Sequence, residues 1–222
     1  MLFVESEVDK RGKLYKAVSK KGSVVEFTAQ NEQTLTRWIL GILKTEGKMI
    51  TSGAMKQFLE KTGTDMERIR QELEKLICYC MEKESITEED VAVICSEQTE
   101  NKIFDMINAM AEKKQKKAME LYYDLLALKE PPMRILYLIT RQFNLLMQVK
   151  ELSEEGYSAK TISERLKMAG FIVRNCLRQA EYFSLKTLKE ALQDCVRMEE
   201  AVKTGRMNDV MSVELLLVKY SS

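Results

Sequence analysis

The sequence predicts a mainly α-helical protein in three parts: a short α/β segment at the start, a small helical unit, and a C-terminal helical bundle. Three observations carry this. From about Asn31 onward, apolar residues recur at spacings of three and four almost without interruption, the period of helices that bury one face. Before that point two β-branched or aromatic runs, Leu2-Phe3-Val4 and Val24-Val25-Glu26-Phe27, flank a Lys-rich stretch with Leu14, Ala17 and Val18 at helical spacing. The 222 residues include only two prolines, adjacent at 131 and 132, so little interrupts the helices.

The opening therefore reads as strand, helix, strand over residues 1–28, a connection that suits parallel strands. Two strands cannot sustain a parallel sheet, so the segment reads as the tail of a larger α/β domain. The small helical unit covers residues 29–98. Leu35, Trp38, Ile39, Ile42 and Leu43 mark its first helix, with Gly47 as its stop. Thr51 or Ser52 caps a second helix, which carries Met55, Phe58 and Leu59 and ends near Gly63. Asp65 precedes a third, with Ile69, Leu73, Leu76 and Ile77 on one face and Arg68–Glu72 and Glu72–Lys75 pairs on the wet face. Thr87 caps a short fourth helix whose first turn holds Glu88, Glu89 and Asp90, where the helix dipole favours acids.

The bundle covers residues 99–222. Ile103, Phe104, Ile107 and Met110 open it, and Ala118, Leu121, Tyr122, Leu125 and Leu126 continue the pattern. At Pro131-Pro132 the residue before each proline is pushed out of the α region, while proline suits a first helical turn, so a new helix starts there. It runs through Ile135, Leu138, Ile139, Phe143, Leu146 and Val149. Gly156 and Gly170 punctuate the next stretch, and further helices run from Ser184 to Lys203 and from Val210 to Tyr220. Five or six helices with short connections imply a bundle.

Composition narrows the function classes. Hydrophobic residues make up 45% of the chain, ample for a buried core, and no apolar run approaches the roughly 20 residues that cross a bilayer. No secretory segment opens the chain, which places it in the cytoplasm, off the membrane. Net charge is +1, distributed as +2 over residues 1–28, −4 over 29–98 and +3 over 99–222. None of these is the footprint of tight autonomous DNA binding.

Residues that could carry chemistry are sparse. The chain has no histidine and five cysteines, Cys78, Cys80, Cys95, Cys176 and Cys195, without CxxC spacing. A zinc site lacks its ligands, and the thiols read as buried or half-buried in a reducing compartment. Without histidine, Ser/His and Cys/His catalysis is excluded. No GxxxxGK[ST] or GxGxxG loop is present, so no cofactor is expected. The acids Glu88-Glu89-Asp90 and Glu199-Glu200 diverge around their helices and read as solvated faces rather than magnesium ligands. Residues 158–177 have the rhythm of a helix-turn-helix, with Ile162 and Leu166, then Gly170, then a second helix. A DNA-reading second helix exposes polar residues near its start, whereas this one starts Phe171-Ile172-Val173 and reads as packed. A DNA-binding regulator built on this element remains the alternative to a non-catalytic assembly subunit.

Several pieces of the chain, in order, resemble a known family. Val8-Asp9-Lys10-Arg11 with Lys13-Leu14-Tyr15-Lys16, then Val24-Val25-Glu26-Phe27, is similar to the end of the AAA+-type domain of bacterial DNA polymerase III delta subunits. Gly63-Thr64-Asp65-Met66, Glu72-Leu73-Glu74-Lys75-Leu76 and Ile86-Thr87-Glu88-Glu89-Asp90-Val91 resemble the family's small second, lid domain. Asn101-Lys102-Ile103-Phe104, Arg134-Ile135-Leu136, Arg141-Gln142-Phe143, Gln148-Val149-Lys150, Phe183-Ser184 and Lys203-Thr204-Gly205 resemble its third, collar-forming domain.

The resemblance implies a subunit of the pentameric clamp loader that does not hydrolyse ATP and helps load the sliding clamp on DNA during replication. Its partners would be the loader's ATPase subunits and delta-prime, held through the collar, with the sliding clamp met by the N-terminal domain. The family's clamp-contacting element lies upstream of Met1, so no clamp-binding residue is carried over. Within the collar, the helix bearing Arg141, Gln142 and Phe143 is the candidate for a subunit interface, because arginine and aromatics are enriched there; the alternative keeps Phe143 in the core and has Arg141 cap or pair within the bundle. Lys203 and Gly205 are candidates too, although they also read as a helix end. Lys10, Arg11 and Lys13 could approach DNA in the assembled loader, or form a solvated basic face.

Overall fold

A computed structural model describes residues 1–5, 8–27, 30–96 and 99–221, with nothing stated for the side chain of residue 100. The boundaries expected at 28/29 and 98/99 fall at or beside residues outside that set. The chain is helical almost throughout, as the apolar period predicts.

The first segment holds α1 (Lys13–Lys21), with non-helical backbone on both sides. Here the sequence reading needs correction: neither Leu2-Phe3-Val4 nor Val24–Phe27 forms a strand. A parallel strand exists only by pairing with a neighbour, and none pairs with these runs among the described residues. Nor does α1 bury a residue. Leu2, Val4, Leu14, Val25 and Phe27 all lie open, Phe27 at 94% exposure, so the segment has no core of its own.

A first helical cluster comes next, built from α2 (Glu32–Thr45), α3 (Ser52–Thr62), α4 (Met66–Tyr79) and α5 (Glu88–Ile94). Side-chain caps fix each start: Asn31 accepts from the Thr34 amide at 2.9 Å, Thr51 from Ala54 at 3.1 Å and Asp65 from Arg68 at 2.9 Å. At α5, Asp90 accepts from both the amide and the hydroxyl of Thr87, at 2.9 and 2.8 Å, closing a capping box. Leu35, Ile39, Phe58, Ile69, Leu73 and Leu76 meet at the centre with essentially no exposure.

Sequence periodicity missed the small sheet here. Strands β1 (Met49–Ile50) and β2 (Ser85–Ile86) pair in parallel, Met49 opposite Ser85 and Ile50 opposite Ile86. Two residues are too few to show a period of two. Beside them Lys48 donates to the carbonyls of Cys80, Met81 and Lys83 at 2.6–2.9 Å, satisfying the backbone that ends α4.

Two predicted wet-face acids are buried. Glu72 is 6% exposed; it pairs with Lys75 at 2.7 Å and accepts from the Ser96 amide at 3.2 Å, while Arg68 donates to the Ser96 carbonyl rather than to Glu72. Asp90 is 2% exposed and pairs with Lys83 at 2.5 Å. The Lys83 ammonium and the Thr87 donors hold the Asp90 carboxyl down to about 2, from an ordinary 3.8. Because the folded-state value is depressed, this stabilisation is complete above about pH 5 and is lost as pH falls towards 2. Acid titration of unfolding free energy is therefore expected to fall less steeply over that window in Asp90→Asn than in the unmodified chain.

The bundle contains α6 (Thr99–Ala111), α7 (Gln115–Ala127), α8 (Pro132–Glu154), α9 (Ala159–Leu166), α10 (Gly170–Ala180), α11 (Leu185–Lys203) and α12 (Asp209–Ser221). Pro132 sits at the first turn of α8, as its fixed φ and missing amide hydrogen favour. This 23-residue helix is the spine, packed against α6, α9, α10, α11 and α12. Its buried stripe, Ile135, Leu136, Leu138, Ile139, Phe143, Leu146 and Val149, joins Ile103, Met106, Ile107, Tyr122, Val173, Leu188, Val213 and Leu216 in a second core, separate from the first. Gly170, expected as a break, instead begins α10; the break is at Lys167, whose φ of +52° ends α9.

Four cysteines are buried as expected, but Cys78 is exposed on α4. Burial raises the others, Cys95 to about 12 and Cys176 and Cys195 to about 11, with Cys80 also raised. A thiol reagent at pH 8 is expected to modify one cysteine per native chain, at Cys78, and all five after denaturation.

Candidate functional site

Arg141 of α8 lines a cleft of about 860 Å³ between the two cores. One wall comes from α8 and α10, with Arg134, Leu138, Arg141 and Leu145 along a single face of α8 and Phe171, Asn175 and Arg178 from α10. Facing it are Gln57, Glu60, Lys61, Asp65 and Arg68 of α3, α4 and their connection. Asn101 ties the walls together at one end, donating to the Glu60 and Lys61 carbonyls at 3.0 and 3.2 Å. A second tie, Arg174 to Glu32 at 3.1 Å, joins α10 to α2.

The residues expected at an interface prove to have different roles. Phe143 is wholly buried, edge-on to Phe183 at 5.9 Å and tilted against Tyr220 at 6.0 Å, so its side chain is withdrawn from any surface of the chain. Gln142 donates to Gln179 at 2.8 Å, and Gln179, 1% exposed, donates to the Phe104 carbonyl at 2.9 Å and Asn108 at 2.7 Å. This polar chain locks α8, α10 and α6 together. Lys203 pairs with Glu199 at 2.5 Å. Gly205 has φ +71° and donates to the Val202 carbonyl at 3.0 Å, while Arg206 donates to Ala201 at 2.8 Å, the left-handed turn that closes a helix. Arg141 and Lys203 both keep exposed charged heads, and of the two only Lys203 has an ion pair among the described residues.

Lys10, Arg11 and Lys13 stand exposed at the start of α1. Lys10 pairs with Glu26 at 2.9 Å and Arg11 with Asp9 at 3.5 Å, so two of the three carry acidic neighbours. The helix-turn-helix rhythm is real, but the start of α10 buries Val173 in the bundle core, while Phe171, 6% exposed, lines the cleft. Glu200 pairs with Arg206 at 2.8 Å, and no group of three potential metal ligands forms among the described residues.

One feature escaped sequence reasoning. Helix α12 turns Val213, Leu216, Leu217 and Tyr220 inward, yet its other side carries Met211, Leu215 and Val218, exposed at 52%, 43% and 38%. A helix apolar on both sides is normally covered on both. Inward, Asp194 of α11 anchors it, pairing with Lys219 at 2.5 Å and accepting from the Tyr220 hydroxyl at 2.6 Å. Burial pushes the Asp194 carboxyl up, but these donors together with Arg197 leave it lowered overall.

Residues 100–220, the bundle, match the family model described as the C-terminal domain of the DNA polymerase III delta subunit. The chain belongs to the DNA polymerase III delta subunit family. Over 213 residues, 96% of its length, it is 32% identical to the DNA polymerase III subunit delta of Bacillus subtilis strain 168, and covers 61% of that protein. A probable DNA polymerase III subunit delta of Aquifex aeolicus strain VF5 is 25% identical over 142 residues, 64% of this chain and 41% of the relative. The solved structure of the B. subtilis DNA clamp loader delta protein superposes with a TM-score of 0.77 at 31% identity, covering 97% of this chain and 63% of that one. The chain thus spans about three fifths of the length of the B. subtilis delta protein. The match runs to residue 220, so the outer stripe of α12 lies within the matched region. Among the described residues no helix is long and apolar enough to cross a membrane.

Proposed function

We propose that this chain is the helical part of a clamp-loader delta subunit, a non-catalytic assembly element that helps load the sliding clamp on DNA. Residues 29–98 act as its lid domain and 99–222 as its collar, with 1–28 as the end of an AAA+-type domain. The observation that carries the reading is α12: a helix of the family's C-terminal domain with an apolar stripe, Met211, Leu215 and Val218, left open on the side away from the core. Area of this kind favours association. The collar's partners are the loader's ATPase subunits and delta-prime, and the protein works in the cytoplasm. The exposed apolar residues of segment 1–27 suit a domain that completes its packing with further α/β structure, the part that would meet the clamp. Lys10, Arg11 and Lys13 are assigned to the side that approaches DNA.

Introducing charge on the stripe tests this. In gel filtration with the ATPase subunits, Met211→Glu/Leu215→Glu is expected to elute apart from them while keeping the helical circular-dichroism signal of the unmodified chain. A doubly charged stripe that still co-elutes would remove α12 from the interface. The helix-turn-helix reading is not favoured, because the start of α10 is spent on the core.

A further inference from the structure

We infer that the cleft between the two helical cores is the open form of a hinge, and that in a second conformation its walls meet, Glu60 against Arg141 and Arg68 against Glu130. The cores are separate, and the two ties across the cleft, Asn101 on the Glu60 and Lys61 carbonyls and Arg174 on Glu32, are polar. An exposed ion pair such as the second is a weak lock. Units joined in this way move relative to one another unless a large apolar interface holds them.

The charges left unspent on the two walls are complementary. On the α3–α4 wall, Lys61 turns to the Ala92 and Cys95 carbonyls at 3.2 and 3.1 Å and Asp65 caps α4. That leaves the Glu60 carboxylate without a partner among the described residues. On the bundle wall, Arg178 is bonded to Asn175, Arg134 lies 3.4 Å from Glu130, and Asp105 has a partner of its own. Arg141 has none among the described residues. A free anion entering the cleft would meet Glu60, Asp65 and Asp105 as well as the arginines, whereas the opposite wall brings each unpaired charge its counterpart.

A second pair lies beside the connection between the units. Among the described residues two buried side-chain atoms lack a hydrogen-bond partner, Arg68 Nε and Glu130 Oε2, a donor on one unit and an acceptor on the other. Arg68 donates through a terminal nitrogen to the Ser96 carbonyl at 3.2 Å, and Glu130 accepts from the Thr99 hydroxyl at 2.8 Å. Three residues of chain span at most roughly 11 Å, so the two unmatched groups stand near each other. Buried polar groups without partners are costly, and a guanidinium set against a carboxylate satisfies both at once. Glu130 then gives up Arg134, whose ion pair leaves Oε2 without a hydrogen bond. Because residues 1–27 join the chain ahead of α2, closure carries them relative to the bundle. The hinge belongs to this chain alone and stands apart from the bundle's association with other subunits.

Pulsed electron paramagnetic resonance on the full 222-residue chain tests the hinge. Spin labels go on Lys56→Cys of α3 and Tyr137→Cys, one turn before Arg141 on α8, both exposed, with Cys78→Ser removing the exposed native thiol. Two separations are expected at low salt, the shorter one depleted at about 1 M salt, where exposed charges are screened. Glu60→Gln and Arg141→Gln should each lower the ratio of short to long by about two- to fivefold, and Arg68→Met, which removes the buried donor, at least as much. The exchanged pair Glu60→Arg/Arg141→Glu should restore the ratio, a result that mere loss of structure does not produce. Should a variant unfold, the salt series on the unsubstituted walls still decides. A single separation at every salt concentration would overturn the proposal. So would two separations whose ratio ignores salt and the wall charges, or an exchanged pair that restores nothing.

Discussion

Replacing Phe143 with alanine is expected to lower stability by about 3–5 kcal/mol, among the largest effects of any single truncation in the chain. The ring is wholly buried on the spine helix α8, where it joins Phe183 of the α10–α11 connection and Tyr220 of α12. Removing it strips hydrophobic burial and leaves a cavity that three separate helical elements would have to collapse to fill. For a chain of this length the loss corresponds to a fall in melting temperature of roughly 6–20 °C. Phe143→Leu, which keeps much of the volume, should cost far less. Thermal unfolding followed by circular dichroism gives the answer, and a loss below about 1 kcal/mol for the alanine variant would mean that the side chain is not where the core is drawn.

The second large effect is expected at Gln179. It accepts from Gln142 and donates to both the Phe104 carbonyl and Asn108, so Gln179→Met keeps the volume while leaving three polar groups with lost partners. Buried groups deprived of a partner cost far more than the net worth of one hydrogen bond, and about 2–4 kcal/mol is expected in chemical denaturation. A double-mutant cycle with Gln142→Met should return a coupling of about 0.5–3 kcal/mol. Additive losses would show that the two amides act separately.

Much of this architecture is legible in the residues alone. Asn31, Thr51, Asp65, Thr87, Ser158 and Ser184 all precede helices, because a side-chain oxygen at that position satisfies amides the helix cannot. Pro132 marks the start of the longest helix for the same local reason. The features that escape are decided by neighbours distant in sequence. The runs at 2–4 and 24–27 have strand composition, but composition supplies no partner strand. Glu72 sits on a helix face that a charge pattern reads as wet, and the Ser96 backbone, 24 residues on, covers it.

The candidate site shows the same division. Arg141 stands exposed on the spine helix, and Phe143 groups with it as an interface candidate only because the two are near in sequence. On a helix, successive residues point about 100° apart, so residues 141 and 143 face opposite ways, one to the cleft and the other to the core. Arg68 and Arg178 could not be grouped with Arg141, since only the meeting of the two cores brings them together. The outer stripe of α12 does have a signal in sequence: Met211, Leu215 and Val218 interleave with Val213, Leu216 and Leu217, leaving Asp209, Glu214 and Lys219 as the charged residues of a 13-residue helix. That excess of apolar positions over what one face needs is a legible mark of a second buried side.

The bundle, on this account of function, is built to be shared with neighbouring chains. Native mass spectrometry of the unmodified chain mixed with the loader's ATPase subunits, sprayed from high salt to suppress loose electrostatic contacts, tests this most directly. The account predicts one defined complex containing this chain. A spectrum in which the chain appears only alone, beside a complete assembly of the other subunits, would contradict it.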